Sequence, residues 1–431
     1  MNFSKHIHPV DYKLSDRFIF WLVGAFPLCF STIKGWSNAV SFLLFIVSAF
    51  YIIRDRKYLF LKRNRNFWFL VAILCLPFFT EIFAQFGRGH IVWRSVDGPS
   101  RFLIATCIFI FISRIDIAEK LPIQLSRGTY ASLLLLLAYV LVFKGYYWGD
   151  RLATKVSDTN TVAIYAVVFL SVSLLSLETL KSRPLMRVSG YLVGFGVTTY
   201  VCYYSQTRGS WVTAIVLVML ILIRAFWSRK LVLTGATLVL IMTILIGYQT
   251  VDLINIRVNQ VMYDVVQFAQ GDPETSVGRR IALKLLDVEL LKIAPLFGFE
   301  DGYLPSYEIL KSRVPILTED VYSMKISGGS HSEIFAQLTR KGILLGASAV
   351  FCLFIYPVYF FWRRRSSSES SVRQIAQVGL ITTIVVIITS FAFEVLNLKM
   401  TATFWGVFLA VFLGSIHSLE TAHENRTSRS L

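Results

Sequence analysis

Uncharged apolar runs of bilayer-spanning length recur along the whole of this 431-residue chain, and no other feature narrows the fold so far. About 20 apolar residues cross a hydrocarbon core as a helix, because a helix satisfies its own backbone hydrogen bonds where no water is available. Twelve segments read this way: Phe18–Ile33, Trp36–Ile53, Phe67–Phe86, Phe102–Ser113, Tyr130–Phe143, Thr161–Leu180, Val188–Tyr204, Ser210–Phe226, Leu231–Tyr248, Gly342–Trp362, Ile375–Phe393 and Thr401–Ser418. The expected fold class is an all-α integral membrane protein of about twelve transmembrane helices. Composition agrees, with 55% hydrophobic and only 16% charged residues, against about 25% charged in a soluble domain.

The formal net charge of +17 is explained by topology. The basic residues fall mostly in short connections, and they alternate in density as the positive-inside rule requires. With the N-terminus in the cytoplasm, the inner connections hold Arg54, Arg56, Lys57, Lys62, Arg63 and Arg65; Arg114, Lys120 and Arg127; Lys181, Arg183 and Arg187; Arg224, Arg229 and Lys230; and Arg363, Arg364, Arg365 and Arg373. The outer short connections hold fewer: Lys34; Arg88, Arg94 and Arg101; Lys144, Arg151 and Lys155; Arg208; and Lys399. Twelve spans then put both termini in the cytoplasm. No soluble basic stripe interleaved with aromatics is present, so nucleic acid is excluded as a partner, and anionic membrane lipid is the partner of the surplus charge. The five cysteines lie inside apolar runs and show neither a disulfide framework nor zinc spacing. The first apolar run has no small-residue cleavage site after it and reads as a retained helix.

The chain divides into 1–249 (nine spans), 250–341 (one large outer loop, Val251 to Lys341) and 342–431 (three spans and a tail). A loop of this length is usually functional. Two stretches in it have helical apolar spacing: Leu253–Phe268, and Arg279–Ile293 with Arg280, Lys284 and Asp287 on one face.

Three residues stand out chemically. Arg208 sits in the tight outer turn Ser205-Gln206-Thr207-Arg208-Gly209-Ser210, where a lipid phosphate would lie; its planar fork suits phosphate, although an interfacial arginine can simply snorkel. Arg280, in Ser276-Val277-Gly278-Arg279-Arg280-Ile281, taken alone reads equally as a solvated charge on an amphipathic helix. His331, in Gly328-Gly329-Ser330-His331-Ser332-Glu333, is expected in the first turn of a helix capped by a Ser330/Glu333 capping box. There the helix N-terminus would face an anion and favour neutral imidazole; the plainer alternative is a surface histidine. Of the six histidines, only His90 and His331 fall on the outer side, a thin basis for a metal site. The loop lacks H-E-x-x-H, G-x-S-x-G, P-loop and D-x-D patterns. The acid pairs Glu300-Asp301 and Glu319-Asp320 read mainly as solvated loop charges. Few charges lie mid-span, which counts against an ion-coupled transporter.

Ser-Gln-Thr-Arg208 at a helix turn, Ser276-Val277-Gly278-Arg279-Arg280 opening a segment that ends Pro295-Leu296-Phe297-Gly298-Phe299, and His331-Ser332-Glu333 leading to Lys341-Gly342-Ile343-Leu344-Leu345-Gly346 together resemble the O-antigen ligase family. In detail the resemblance covers Tyr204 to Gly346. It implies a GT-C-like glycosyltransferase with short amphipathic helices in its periplasmic loop. The enzyme would move O-antigen polysaccharide from undecaprenyl diphosphate to a lipid A–core sugar, with no metal and no cofactor. It implies that Arg208 and Arg280 bind the donor diphosphate and that His331 is the catalytic residue, with Arg279, Ser330 and Glu333 as supporting positions. The family often has Asn where this chain has Ser332. The expected reaction is an inverting displacement, with His331 as base and the arginines at the leaving group. The alternatives are an O-antigen polymerase, a protein O-oligosaccharyltransferase, and a transporter or flippase of lipid-linked sugars.

Overall fold

The structure is a computed structural model that describes residues 13–54, 65–142, 146–148, 151–300, 302–396 and 398–430. Arg56, Lys57, Lys62, Arg63, Lys144 and Asp301, named above, lie outside the described residues. In chain order the helices are α1 (Lys13–Ala25), α2 (Trp36–Arg54), α3 (Arg65–Arg88), α4 (Trp93–Ile112) and α5 (Lys120–Val142), followed after a short hairpin by α6 (Thr159–Glu178), α7 (Pro184–Ser205), α8 (Arg208–Phe226) and α9 (Lys230–Thr250). The region that follows α9, called the outer region after its expected topology, contributes α10 (Asp252–Ala269), α11 (Ser276–Ile293), α12 (Tyr307–Arg313), α13 (Glu319–Gly328) and α14 (Glu333–Lys341). The chain closes with α15 (Ile343–Arg364), α16 (Ser370–Ser390) and α17 (Lys399–Ser430). The hairpin pairs β1 (Tyr146–Trp148) antiparallel with β2 (Arg151–Ala153).

Ten of these helices, among the described residues, are long and apolar enough to cross a membrane: α2 to α6, α8, α9, and α15 to α17. The chain is an all-α, multi-pass membrane protein. All ten coincide with expected spans. The other two expected spans are helical but fall short. Helix α1 has 13 residues and stops two residues before Pro27, as the restricted residue before a proline favours. Helix α7 has 22 residues, and its glycines, tyrosines and threonines dilute its apolarity. Two spans start earlier than expected, at Trp93 and Lys120, because polar residues interrupt the apolar run without interrupting the helix. In α4 the interruption is neutralised internally, Arg101 pairing with Asp97 one turn back at 2.6 Å.

The bundle is arranged by how uniformly each helix is apolar and small. Helix α6 is the centre, with 94% of its spanning stretch buried, and α17 is nearly as enclosed at 89%, whereas α9 has 0% buried. Serines and threonines let helices approach α6 closely while satisfying their own hydroxyls: Ser126 donates to Val172 O at 2.7 Å, and Thr129 meets Ser173 at 3.1 Å. In α15 the turn Phe351–Ile355 widens to a π-bulge. Pro357 follows; it lacks an N–H and frees the carbonyl four residues back, and that carbonyl, Leu353 O, instead accepts from Trp405 Nε1 at 3.2 Å.

The outer region is a folded unit with its own small core of Ala282, Leu283, Leu286, Leu290, Leu310, Val314, Leu317 and Val321. It is riveted to the bundle where Pro295–Phe299 meets the α14–α15 junction. Ile343 N donates to Pro295 O (2.8 Å) and Phe299 N to Thr339 O (2.7 Å). Gly342 is required there: its φ is +78°, and a Cβ would stand 2.3 Å from Leu296 O. Beside this junction Lys341 is buried against Glu81 of α3 (3.6 Å) and Pro77 O (3.2 Å). Glu300 corrects an expectation. It is not a solvated loop charge but a buried one, paired with Arg88 at 3.2 Å and hydrogen-bonded by Ser95. Desolvation there raises its carboxyl pKa. Glu319 and Asp320 are exposed at the start of α13, as expected.

Candidate active site

The turn between α7 and α8 is built by Gln206, which closes α7 in the left-handed conformation at φ 54°, and by Thr207, the N-cap of α8. Arg208 is therefore the first residue of α8. A cation is unfavourable at the positive end of a helix dipole; here a carboxylate offsets it, Arg208 Nη1 lying 2.9 Å from Asp264 Oδ2 of α10, while Nη2 bonds Gln260 Oε1 at 3.1 Å.

Two further arginines gather at the same turn. Arg151, on β2, donates to Ser205 O at 2.9 Å and Thr207 Oγ1 at 3.2 Å. Arg257, on α10, donates to Gln206 Oε1 and, at 3.0 Å, to Gln260 Oε1. The fourth is Arg280 on α11. It is half-buried and lines a cavity with Asn160, Ile164, Thr207, Gly209, Thr389, Ala392 and Phe393. Among the described residues no carboxylate pairs with it. The pKa values of Arg151, Arg257 and Arg280 are all lowered, first by desolvation and then by each other or by Arg208. Four guanidiniums thus crowd one small volume, with Asp264 their one direct carboxylate partner among the described residues. Such a cluster is electrostatically uncomfortable until an anion enters it.

His331 lies within electrostatic reach of Arg280. The segment Ser332–Glu333 lies along the end of α16: Ser332 Oγ donates to Ser390 O at 2.9 Å and Glu333 N to Phe393 O at 3.2 Å. The imidazole forms no hydrogen bond among the described residues. Its pKa is lowered below 6.5, chiefly by burial and further by Arg280 and Lys325, against the opposing pull of Glu394. It is therefore neutral at neutral pH and able to accept a proton.

The expected capping box does not form. Helix α14 begins at Glu333 with Ser332 as its N-cap, so His331 precedes the helix, in the left-handed region at φ 48°. Ser330 Oγ instead bridges the buried pair Lys325–Asp287, at 2.5 and 3.0 Å. Glu333 accepts from Leu396 N at 2.9 Å and Gln337 Nε2 at 2.6 Å. The N–H groups of Ser330 and His331 both donate to Glu394, so an internal carboxylate already occupies the anion position expected at this terminus. Ser330 and Glu333 thus hold the turn together through these hydrogen bonds. The third supporting position, Arg279, turns away from Arg280 to Glu274 (2.9 Å) and Asp320 (3.3 Å).

Of the three residues the sequence reading named, Arg280 lies within electrostatic reach of both Arg208 and His331. That reading did not single out Arg151, Arg257, Asp264 or Glu394. A signal existed for two of them: Arg257, Gln260 and Asp264 are spaced by three and four residues, hence on one face of α10. Nothing local marks Arg151 or Glu394, whose partners are distant in sequence. His90, the other outer histidine, stacks on Tyr303 with ring centroids 4.8 Å apart. Comparison with protein-family models finds no match, and comparison with curated proteins finds none.

Proposed function

We propose that this chain is a GT-C-like O-antigen ligase of the bacterial inner membrane. It would transfer a polysaccharide from undecaprenyl diphosphate to a sugar hydroxyl of lipid A–core on the periplasmic side, with both termini cytoplasmic. The observation that carries the reading is the cluster of four arginines, Arg280 among them within electrostatic reach of His331, at the end of a membrane-spanning helix where a lipid-linked diphosphate would lie. Guanidinium forks match diphosphate oxygens, and such charge-assisted bonds strengthen as the leaving group gains charge.

The acceptor hydroxyl oxygen attacks the donor's anomeric carbon from the face opposite the diphosphate. The new C–O bond forms as the carbon–phosphate oxygen bond breaks, and the configuration inverts. The hydroxyl proton passes to His331, and undecaprenyl diphosphate leaves on Arg208 and Arg280, with Arg151 and Arg257 around it. Base catalysis of this kind contributes about 100–10,000-fold. Cleavage of the activated sugar–diphosphate ester supplies the driving force, so no ATP is consumed.

Deleting the gene and analysing both lipopolysaccharide and lipid-linked glycan tests this. Loss of polymer from lipid A–core, with long chains accumulating on undecaprenyl diphosphate, supports the ligase. Single repeats still reaching the core, with only long chains lost, would make the protein a polymerase. Unchanged transfer by His331→Ala would remove the assigned base.

A further inference from the structure

The outer connection between α16 and α17 carries one charged residue, Glu394, that the mechanism above does not use. Its side chain is buried, at 5% exposure. One carboxylate oxygen, Oε1, accepts from two successive backbone N–H groups, Ser330 and His331, the latter at 3.2 Å. The other, Oε2, accepts from Arg340 Nη2 of α14 at 2.9 Å. The chain at Gly329 is shaped around this carboxylate: its φ is +77°, and a Cβ would stand 2.2 Å from Glu394 Oε1. His331 itself is left-handed at φ 48°, a conformation that a non-glycine residue holds only where its surroundings impose it. Two N–H groups converging on one buried carboxylate oxygen are such a constraint. Residues 392 and 393, immediately before Glu394, line the small cavity that Arg280 also lines.

We propose that Glu394 is a positioning residue of the transfer site: its carboxylate locks the Gly329-Ser330-His331 turn and so fixes the place of the imidazole near Arg280. This rests on the ligase reading for its catalytic meaning, but the lock itself is a statement about the turn. Glu394 has a second consequence. It is the negative charge nearest the imidazole; the cations facing the same ring are Arg280 of α11 and Lys325 of α13. Asp287 is paired with Lys325, and Glu333 and Arg340 adjoin Glu394. Neutralising Glu394 leaves the cations unopposed, so the ring loses its proton at lower pH.

The test uses the full-length protein in lipid, with a lipid-linked glycan donor and a lipid A–core acceptor, comparing wild type, Glu394→Gln, and the double variant Glu394→Gln/Arg340→Gln. The double variant keeps an amide–amide hydrogen bond where the ion pair was, so it remains informative if the single variant does not fold. Expected are a fall in kcat on the order of 10–100-fold from the loosened turn, an unchanged donor KM, and an acid limb of the pH–kcat profile displaced to lower pH. A residue that merely supported the fold would lower the yield of folded protein and leave the limb in place. The imidazole titration, followed by NMR and assigned with His331→Asn, is read in parallel. Wild-type kcat with an unmoved limb in the double variant overturns the assignment. If the wild-type protein transfers no glycan, the ligase reading fails, and the titration alone decides Glu394: a lowered His331 pKa keeps the lock, an unmoved one ends it.

Discussion

Lys325 Nζ lies 2.8 Å from Asp287 Oδ1 with neither side chain exposed, and the Ser330 hydroxyl bridges the two one residue before His331. A buried pair contributes little net stability over apolar residues, yet removing one partner strands the other. Lys325→Met or Asp287→Leu alone is expected to cost roughly 3–5 kcal/mol. The double variant should recover most of that. Thermal unfolding in detergent measures all three; single variants as stable as wild type would show that the pair is not closed to water.

Arg280 is predicted to separate stability from activity. It has no carboxylate partner among the described residues and sits against other cations. Arg280→Ala should therefore leave the melting temperature unchanged or higher. Transfer should fall by about 100–1,000-fold, the usual effect of removing one donor from a developing oxyanion. Arg280→Lys should restore little, since an ammonium cannot reproduce the planar fork. Steady-state kinetics beside a melting curve checks both halves, and near-normal transfer by Arg280→Ala would take this residue out of the donor site.

Inorganic pyrophosphate should stabilise the protein, because four arginines share one direct carboxylate partner, Asp264, among the described residues. At about 100 times its Kd, the linkage amounts to about 2.7 kcal/mol. The melting temperature should rise with pyrophosphate, less with orthophosphate, and less again at high salt. Arg208→Ala/Arg280→Ala should abolish the response. A response that survives in that variant would place the anion elsewhere.

The pH dependence follows from His331. Its folded pKa lies below the ordinary 6.5 because burial and the neighbouring cations disfavour the charged ring. Between the two values the unfolded chain binds more protons than the folded one, so stability rises with pH through that window. The contribution is complete above 6.5 and is lost as pH falls through the folded value. The same titration should set the acid limb of transfer, also below 6.5. An acid limb at or above 6.5, or one unchanged in His331→Asn, would assign the limb to another group.

Gly342→Ala should destabilise the protein by more than the ~1 kcal/mol of an ordinary helix-end change. It combines a left-handed backbone with a Cβ 2.3 Å from Leu296 O. The rivet between Pro295–Phe299 and α15 would then open, and protease protection of the outer region is expected to drop before that of the spans. Equal loss of protection everywhere would mean that the two regions unfold as one.

The spans were legible in the sequence because membrane helices answer to a local rule: each must be apolar and long enough to satisfy its own backbone. That rule placed all ten qualifying helices; it counted α1 and α7 as spans that fall short, and it misjudged ends where polar residues continue a helix past its apolar run, as the paired Asp97 and Arg101 do in α4. The helical spacing of Arg279–Ile293 likewise announced α11, which begins three residues earlier at Ser276, and motif order singled out Arg208, Arg280 and His331. Tertiary structure decided the rest, because it depends on which remote carboxylate meets which cation. Ser330 and Glu333 have the spacing of a capping box, but Asp287, Lys325 and the Leu396 N–H offered their side chains better partners, and Glu394 took the backbone N–H groups of Ser330 and His331. Arg151 and Arg257 join the cluster only because β2 and α10 converge on the Ser205–Thr207 turn. A hydrogen bond between residues 63 positions apart, as between His331 and Glu394, leaves no periodic trace in a sequence: it is chosen by the packing of whole helices, after each helix has already been decided.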